Sequence, residues 1–208
     1  MRARNDSSVE AAVPAALNVT LAGETPATTA AFTVLELLVV ITIIIALAGL
    51  ILSTVGYAQK KGARSRAEAE IAGISAALES YKADNGIYPT DATVTEQVDP
   101  TASPVPPNAS LYLYKQLSGD VNANLQPPAG AKSYFTFKPQ MLAGAKDSNG
   151  ALTSVTNLRD PFGNPYGYST MRAANPTGSG FNPTFDLWST AGTTTVSATD
   201  QAQWIKNW

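Results

Sequence analysis

The sequence predicts an α+β fold, one long N-terminal helix packed on a small antiparallel sheet, and three observations carry that reading. An uncharged, mostly aliphatic run fills Leu37 to Gln59, and an apolar stripe of helical period follows it. Short aromatic segments set between turn-forming clusters make up the rest. Composition narrows the function. Among 208 residues there is no Cys and no His, which excludes a disulfide framework, a histidine-based triad and zinc sites built on those residues. A formal charge of −2 argues against a nucleic-acid partner, which demands a basic surface.

The run from Leu37 to Gln59 is 23 residues long. About 20 such residues cross a hydrocarbon core roughly 30 Å thick, so it reads as a membrane span. A cleaved secretory signal fits poorly, because 31 residues precede Phe32 and Tyr57 to Arg66, polar and basic, hold no A-x-A pattern. Glu36 stands one residue before the run, with Phe32, Val34 and Leu35 on its other side. Two readings of it stand. It is an interfacial carboxylate that reaches water, or a carboxylate kept to pair with a positive charge from a neighbouring chain.

Beyond the span, Ala67, Ile71, Ile74, Leu78 and Tyr81 recur at spacings of three and four, one face of a continuing helix. Gly86 suits a left-handed C-terminal cap and Pro89 forbids continuation, so the helix is predicted over about residues 33–85. A loop rich in Pro follows over 91–110, and Leu111–Leu117 reads as one or two helical turns or a strand. Strands are predicted at Tyr134–Phe137, near Val155–Leu158, at Tyr166–Ser169 and, most clearly, at Phe185–Ser189. Turns separate them at Asp147–Gly150 and Asp160–Pro165. So small a sheet domain depends on the helix stripe for its core.

The stretch Ala31-Phe32-Thr33-Val34-Leu35-Glu36-Leu37 resembles the type IV prepilin signature of pilins and type II secretion pseudopilins. Ala76 to Thr90 is similar to the end of the long helix in major pseudopilins, and Asp160 to Tyr166 to a turn before one of their strands. Phe185 to Ser189 resembles a later strand, and Trp204-Ile205-Lys206-Asn207-Trp208 the family's closing segment. The resemblance implies a pilin-like fold with a prepilin leader over 1–31 and a transmembrane and assembly half of the helix over 32–59. The amphipathic half would cover 60–86 and the sheet domain 87–208. It implies cleavage by a prepilin peptidase between Ala31 and Phe32, N-methylation of Phe32, and contact of Glu36 with the terminal amine of an adjacent subunit. The implied partners are further copies of the chain, the peptidase, minor pseudopilins, the inner-membrane assembly platform and membrane lipid. The implied place is the inner membrane, single-pass, with the C-terminal domain periplasmic.

The chain departs from the family pattern at several points. Ala31 replaces a Gly before the cut, Ser53 stands where many members have a kinking Pro, and Ile45 replaces a common Gly. The loop matching the family's calcium site, Thr190 to Thr195, lacks a carboxylate until Asp200, so at best a weak Ca²⁺ site is expected and no other cofactor. Lys60, Lys61, Arg64 and Arg66 follow the span, and the positive-inside rule alone would put the C-terminal domain in the cytoplasm, against the resemblance. The cluster then faces lipid phosphates or acidic groups of adjacent subunits.

The expected function is a structural subunit of a type II secretion pseudopilus, polymerised through its N-terminal helix and not an enzyme. The alternatives are a type IV pilus pilin and a non-polymerising, single-pass membrane-anchored periplasmic binding module. The binding module would use Tyr112, Tyr114 and Phe181, which also read as core residues of a small sheet. An enzyme would have to join Asp160, Asp186 and Asp200 into a carboxylate site, and no motif links them.

Overall fold

A computed structural model of the chain describes residues 33–102, 104–193, 195 and 197–208, and at 52–54 it describes the backbone alone. The first helix, α1 (Val34–Asn85), has the predicted extent. The chain divides into two compact units, Met1–Leu47 and Ala48–Trp208. In the described part of the first unit, α1 lies bare, its large aliphatic side chains ranging from Ile41 at 47% exposed to Val34 at 84%.

In the second unit the helical stripe is the floor of the core. Ala67, Ile74 and Leu78 are fully buried, Ile71 and Ala77 nearly so, and Tyr81 is half-buried on the same face. The helix ends as its sequence dictates. Gly86 takes φ 80°, and its N–H donates to the Lys82 carbonyl at 2.7 Å.

Leu111–Leu117 is helical, part of α2 (Pro107–Ser118). The expected loop over 91–110 is therefore four residues shorter, because Pro107 opens the helix at the position where its missing N–H costs nothing. Ala109, Leu113, Tyr114 and Leu117 form the buried face of α2.

Two small antiparallel sheets complete the unit. β1 (Leu142–Ala143) pairs with β2 (Asn157–Leu158), and β3 (Gly167–Ser169), β4 (Asp186–Ser189) and β5 (Ile205–Lys206) form a sheet with β4 central. Short helices α3 (Met171–Ala174) and α4 (Ala198–Gln201) lie in the connections. Gly167 pairs with Trp188, and a Cβ there would sit 2.0 Å from Trp188 Cε2, so the indole occupies the space a side chain would need. Trp188 and Trp204 stack at 6.3 Å between ring centroids in a second apolar cluster with Val98, Val105 and Ala109.

One predicted strand is absent. Tyr134–Phe137 makes no ladder, and the N–H groups of Tyr134 and Phe135 both donate to the Leu117 carbonyl, at 2.7 and 3.1 Å. Its rings pack instead on the helices. Tyr134 meets Tyr81 at 5.1 Å, Phe137 meets Tyr114 at 5.4 Å, and Phe135 lies over Gly73. Alternating aromatics mark an extended segment with one buried side, but a strand also needs a partner edge, and here the neighbour is a helix.

Candidate functional site

The N-terminal end of α1 is built from a short local pattern. Thr33 Oγ1 accepts from the Glu36 N–H at 3.1 Å, while the Glu36 carboxylate accepts from both the N–H and the hydroxyl of Thr33 at 3.0 Å. This is a reciprocal capping box, Thr-x-x-Glu, which satisfies donors the helix would otherwise leave open. Glu36 thus has a local partner that neither reading of the residue included, although the spacing Thr33-Val34-Leu35-Glu36 is itself the signal. Ala31 and Phe32, the expected processing and methylation positions, lie outside the described residues.

Behind the box, the helix from Val34 to Leu47 presents its large apolar side chains outward. α1 is the one described helix long and apolar enough to cross a membrane.

The carboxylates weighed as an enzyme site serve loops instead. Asp160 is buried and holds the turn after it, its Oδ1 accepting from the N–H groups of Phe162 and Asn164 at 3.0 and 2.8 Å. Its other oxygen accepts from the Ser189 hydroxyl at the end of β4. Burial pushes the Asp160 pKa up, against the pull of these donors. Asp186, at the opposite end of β4, accepts from the N–H groups of Phe181 and Asn182 at 2.8 Å each, and burial raises its pKa too. Ser197 caps α4 by accepting from the Asp200 N–H at 3.2 Å, and the hydroxyls of Ser197 and Thr195, which donate to the Asp200 carboxylate, hold its pKa down. Among the described residues no three carboxylates come together.

The same bonds hold the described part of the loop that resembles the family's calcium site. Asp200 is its one carboxylate and already accepts two hydroxyls. Thr190 and Thr193 face Asn164 Nδ2 and Trp204 Nε1, at 3.0 and 2.9 Å. Calcium takes six to eight oxygen ligands with carboxylates among them, and the described part of this loop offers the one carboxylate of Asp200.

The aromatics weighed as a ligand surface are mostly structural. Tyr114 is buried and donates to Asp120, Tyr112 donates to the Thr90 carbonyl, and Phe181 stacks on Trp208 at 4.5 Å.

Against known proteins, the chain is 33% identical over 131 residues to the type II secretion system core protein G of Pectobacterium carotovorum subsp. carotovorum. That match spans 57% of this chain and 81% of the relative. No family model matches the chain, and no solved structure matches it.

Proposed function

The chain belongs to the family of the type II secretion system core protein G, the major pseudopilins, and from that premise we propose that it is the structural subunit of a secretion pseudopilus. The observation that carries this reading is the bare apolar surface of α1, with Glu36 at its head. Burying apolar area is worth roughly 25 cal/mol per Å², so such a surface must be covered by lipid or by other copies of itself. Before assembly the helix sits in the inner membrane. After cleavage between Ala31 and Phe32 and methylation of Phe32, the same surface packs against neighbouring helices in a fibre.

Within that fibre the Glu36 carboxylate meets the Phe32 amine of an adjacent subunit, which lowers the cost of holding a charge among apolar helices. The C-terminal domain lies in the periplasm despite the basic residues after the span. The subunit performs no chemistry, and its partners are the prepilin peptidase, minor pseudopilins and the membrane assembly platform.

Intact-mass measurement and N-terminal peptide mapping of the chain from its native membrane test the processing step. A chain beginning at methylated Phe32 is expected. A chain retaining Met1 to Ala31 where the peptidase is active would show that Ala31 blocks the cut, and the pseudopilus reading would fail.

A further inference from the structure

The face of α1 that packs on the sheet domain changes character toward the membrane span. Ala67, Ile71, Ile74 and Leu78 are apolar and buried, but the same helical face continues backward as Arg64, Lys61, Lys60 and Tyr57. There the domain leaves a cleft of about 610 Å³, lined by those four residues together with Phe162 and Gly192.

The cleft's cations differ in how they are held. Arg64 Nη1 donates to the Gln203 carbonyl at 2.7 Å, and its Nε lies 3.3 Å from Glu68, so the guanidinium is fixed along one wall. Lys60 and Lys61 are exposed, and among the described residues neither has an ion pair. Two uncompensated ammonium groups and a fixed guanidinium on one helix turn set up a field that selects an anion. Lys60 follows Gln59, the last residue of the uncharged run, so at 1.5 Å per residue these groups fall within about two turns of the end of the span. That is the depth of lipid headgroups, where Tyr and Lys side chains commonly anchor a helix.

We propose that the cleft bounded by Tyr57, Lys60, Lys61, Arg64 and Phe162 binds the phosphate headgroup of an anionic membrane phospholipid. The phosphate lies between the two lysines, and Tyr57 and Phe162 flank the glycerol and upper acyl carbons. This gives Lys60, Lys61 and Arg64 a role outside the cytoplasm, while Arg66, the fourth basic residue, pairs with Glu70 at 3.0 Å, and the conflict with the proposed topology is removed. The assignment rests on the reading of α1 as a membrane span.

The test uses the full chain in micelles holding equal amounts of palmitoyl-oleoyl phosphatidylglycerol and phosphatidylcholine, with bound lipid counted by native mass spectrometry. Retention of phosphatidylglycerol over phosphatidylcholine by roughly tenfold is expected, since each basic residue near an anionic surface contributes a several-fold preference. The double variant Lys60→Gln/Lys61→Gln should bring the ratio to about one, while the exposed pair Lys138→Gln/Lys146→Gln, outside the cleft, should leave it unchanged. Both pairs are on the surface, and unchanged thermal melting shows that the fold is intact.

Equal retention of the two lipids, or an equal fall in both variants, overturns the proposal. So does displacement of the lipid by millimolar glycerophosphate, which would make a soluble anion the ligand. If Lys60→Gln/Lys61→Gln abolishes self-association and leaves the lipid ratio unchanged, the cations serve a second copy and the proposal fails. Co-flotation with phosphatidylcholine liposomes reads insertion separately. A chain that inserts without headgroup preference sinks this proposal alone, and one that does not insert sinks the membrane reading with it.

Discussion

Glu36 combines a local bond with a proposed distant one, and two substitutions separate them. Gln keeps the capping box but not the charge, whereas Ala loses both. If the charge serves assembly, Glu36→Gln and Glu36→Ala both abolish fibres. If the cap is what matters, Glu36→Gln assembles as wild type and Glu36→Ala loses about 1 kcal/mol of helix-start stability. Gly167 poses a simpler test. A Cβ 2.0 Å from the Trp188 indole forces the ring or the β3–β4 pair to move. Gly167→Ala should cost about 1–3 kcal/mol in urea unfolding followed by tryptophan fluorescence.

Asp160 sets a pH dependence. Its folded pKa is raised by burial, so the folded state holds the proton more tightly than the unfolded one. The stability this contributes is complete below the unfolded value, and it falls away as pH rises through the folded one. Asp160→Asn removes that loss while keeping an acceptor for the Phe162 and Asn164 N–H groups. Urea midpoints measured from about pH 4 to 6 should therefore show the variant gaining on wild type as pH rises.

At the scale of elements, the second half of α1 acts as a wall of the core. Ile74 is fully buried in the main cluster, and Ile74→Ala should cost about 2–5 kcal/mol, read from chemical denaturation. This half was legible in the sequence because its period repeats over four turns and Gly86 closes it. β4 was legible for a related reason, its Phe-Asp-Leu-Trp-Ser run being bounded by turn formers.

The remainder was harder because its decisive contacts are not local. Leu111 to Leu117 fits either period over seven residues, and packing on the sheet made it helical. β1 and β5 are two residues each, too short to carry a period, and exist through their partners Leu158 and Trp188. Tyr134–Phe137 carried a strand's pattern without a strand's neighbour. The site divided the same way. Glu36 stood out by its chemistry, while the cleft at Lys60 and Lys61 needed Phe162 and Gly192 from far along the chain.

For the whole molecule, the long helix is apolar and bare in one unit, and in the other it is the floor of a small α+β core. Membership of the major pseudopilin family fits that division. In the proposed function the bare part serves as anchor and fibre core, and the folded part as the outer surface. Topology has its own prediction. A C-terminal fusion to a reporter active only in the periplasm should be active, and a fusion active only in the cytoplasm would reverse the proposed orientation.

The most direct measurement is electron microscopy of fibres sheared from cells in which this chain, or its Glu36→Ala variant at matched levels, is the sole major subunit. Fibres composed of chains that start at Phe32 are expected from the wild type, and none from the variant. A wild-type chain that is processed at Phe32 yet yields no fibre, or a variant that yields fibres in equal amount, would contradict a pseudopilus built through this helix.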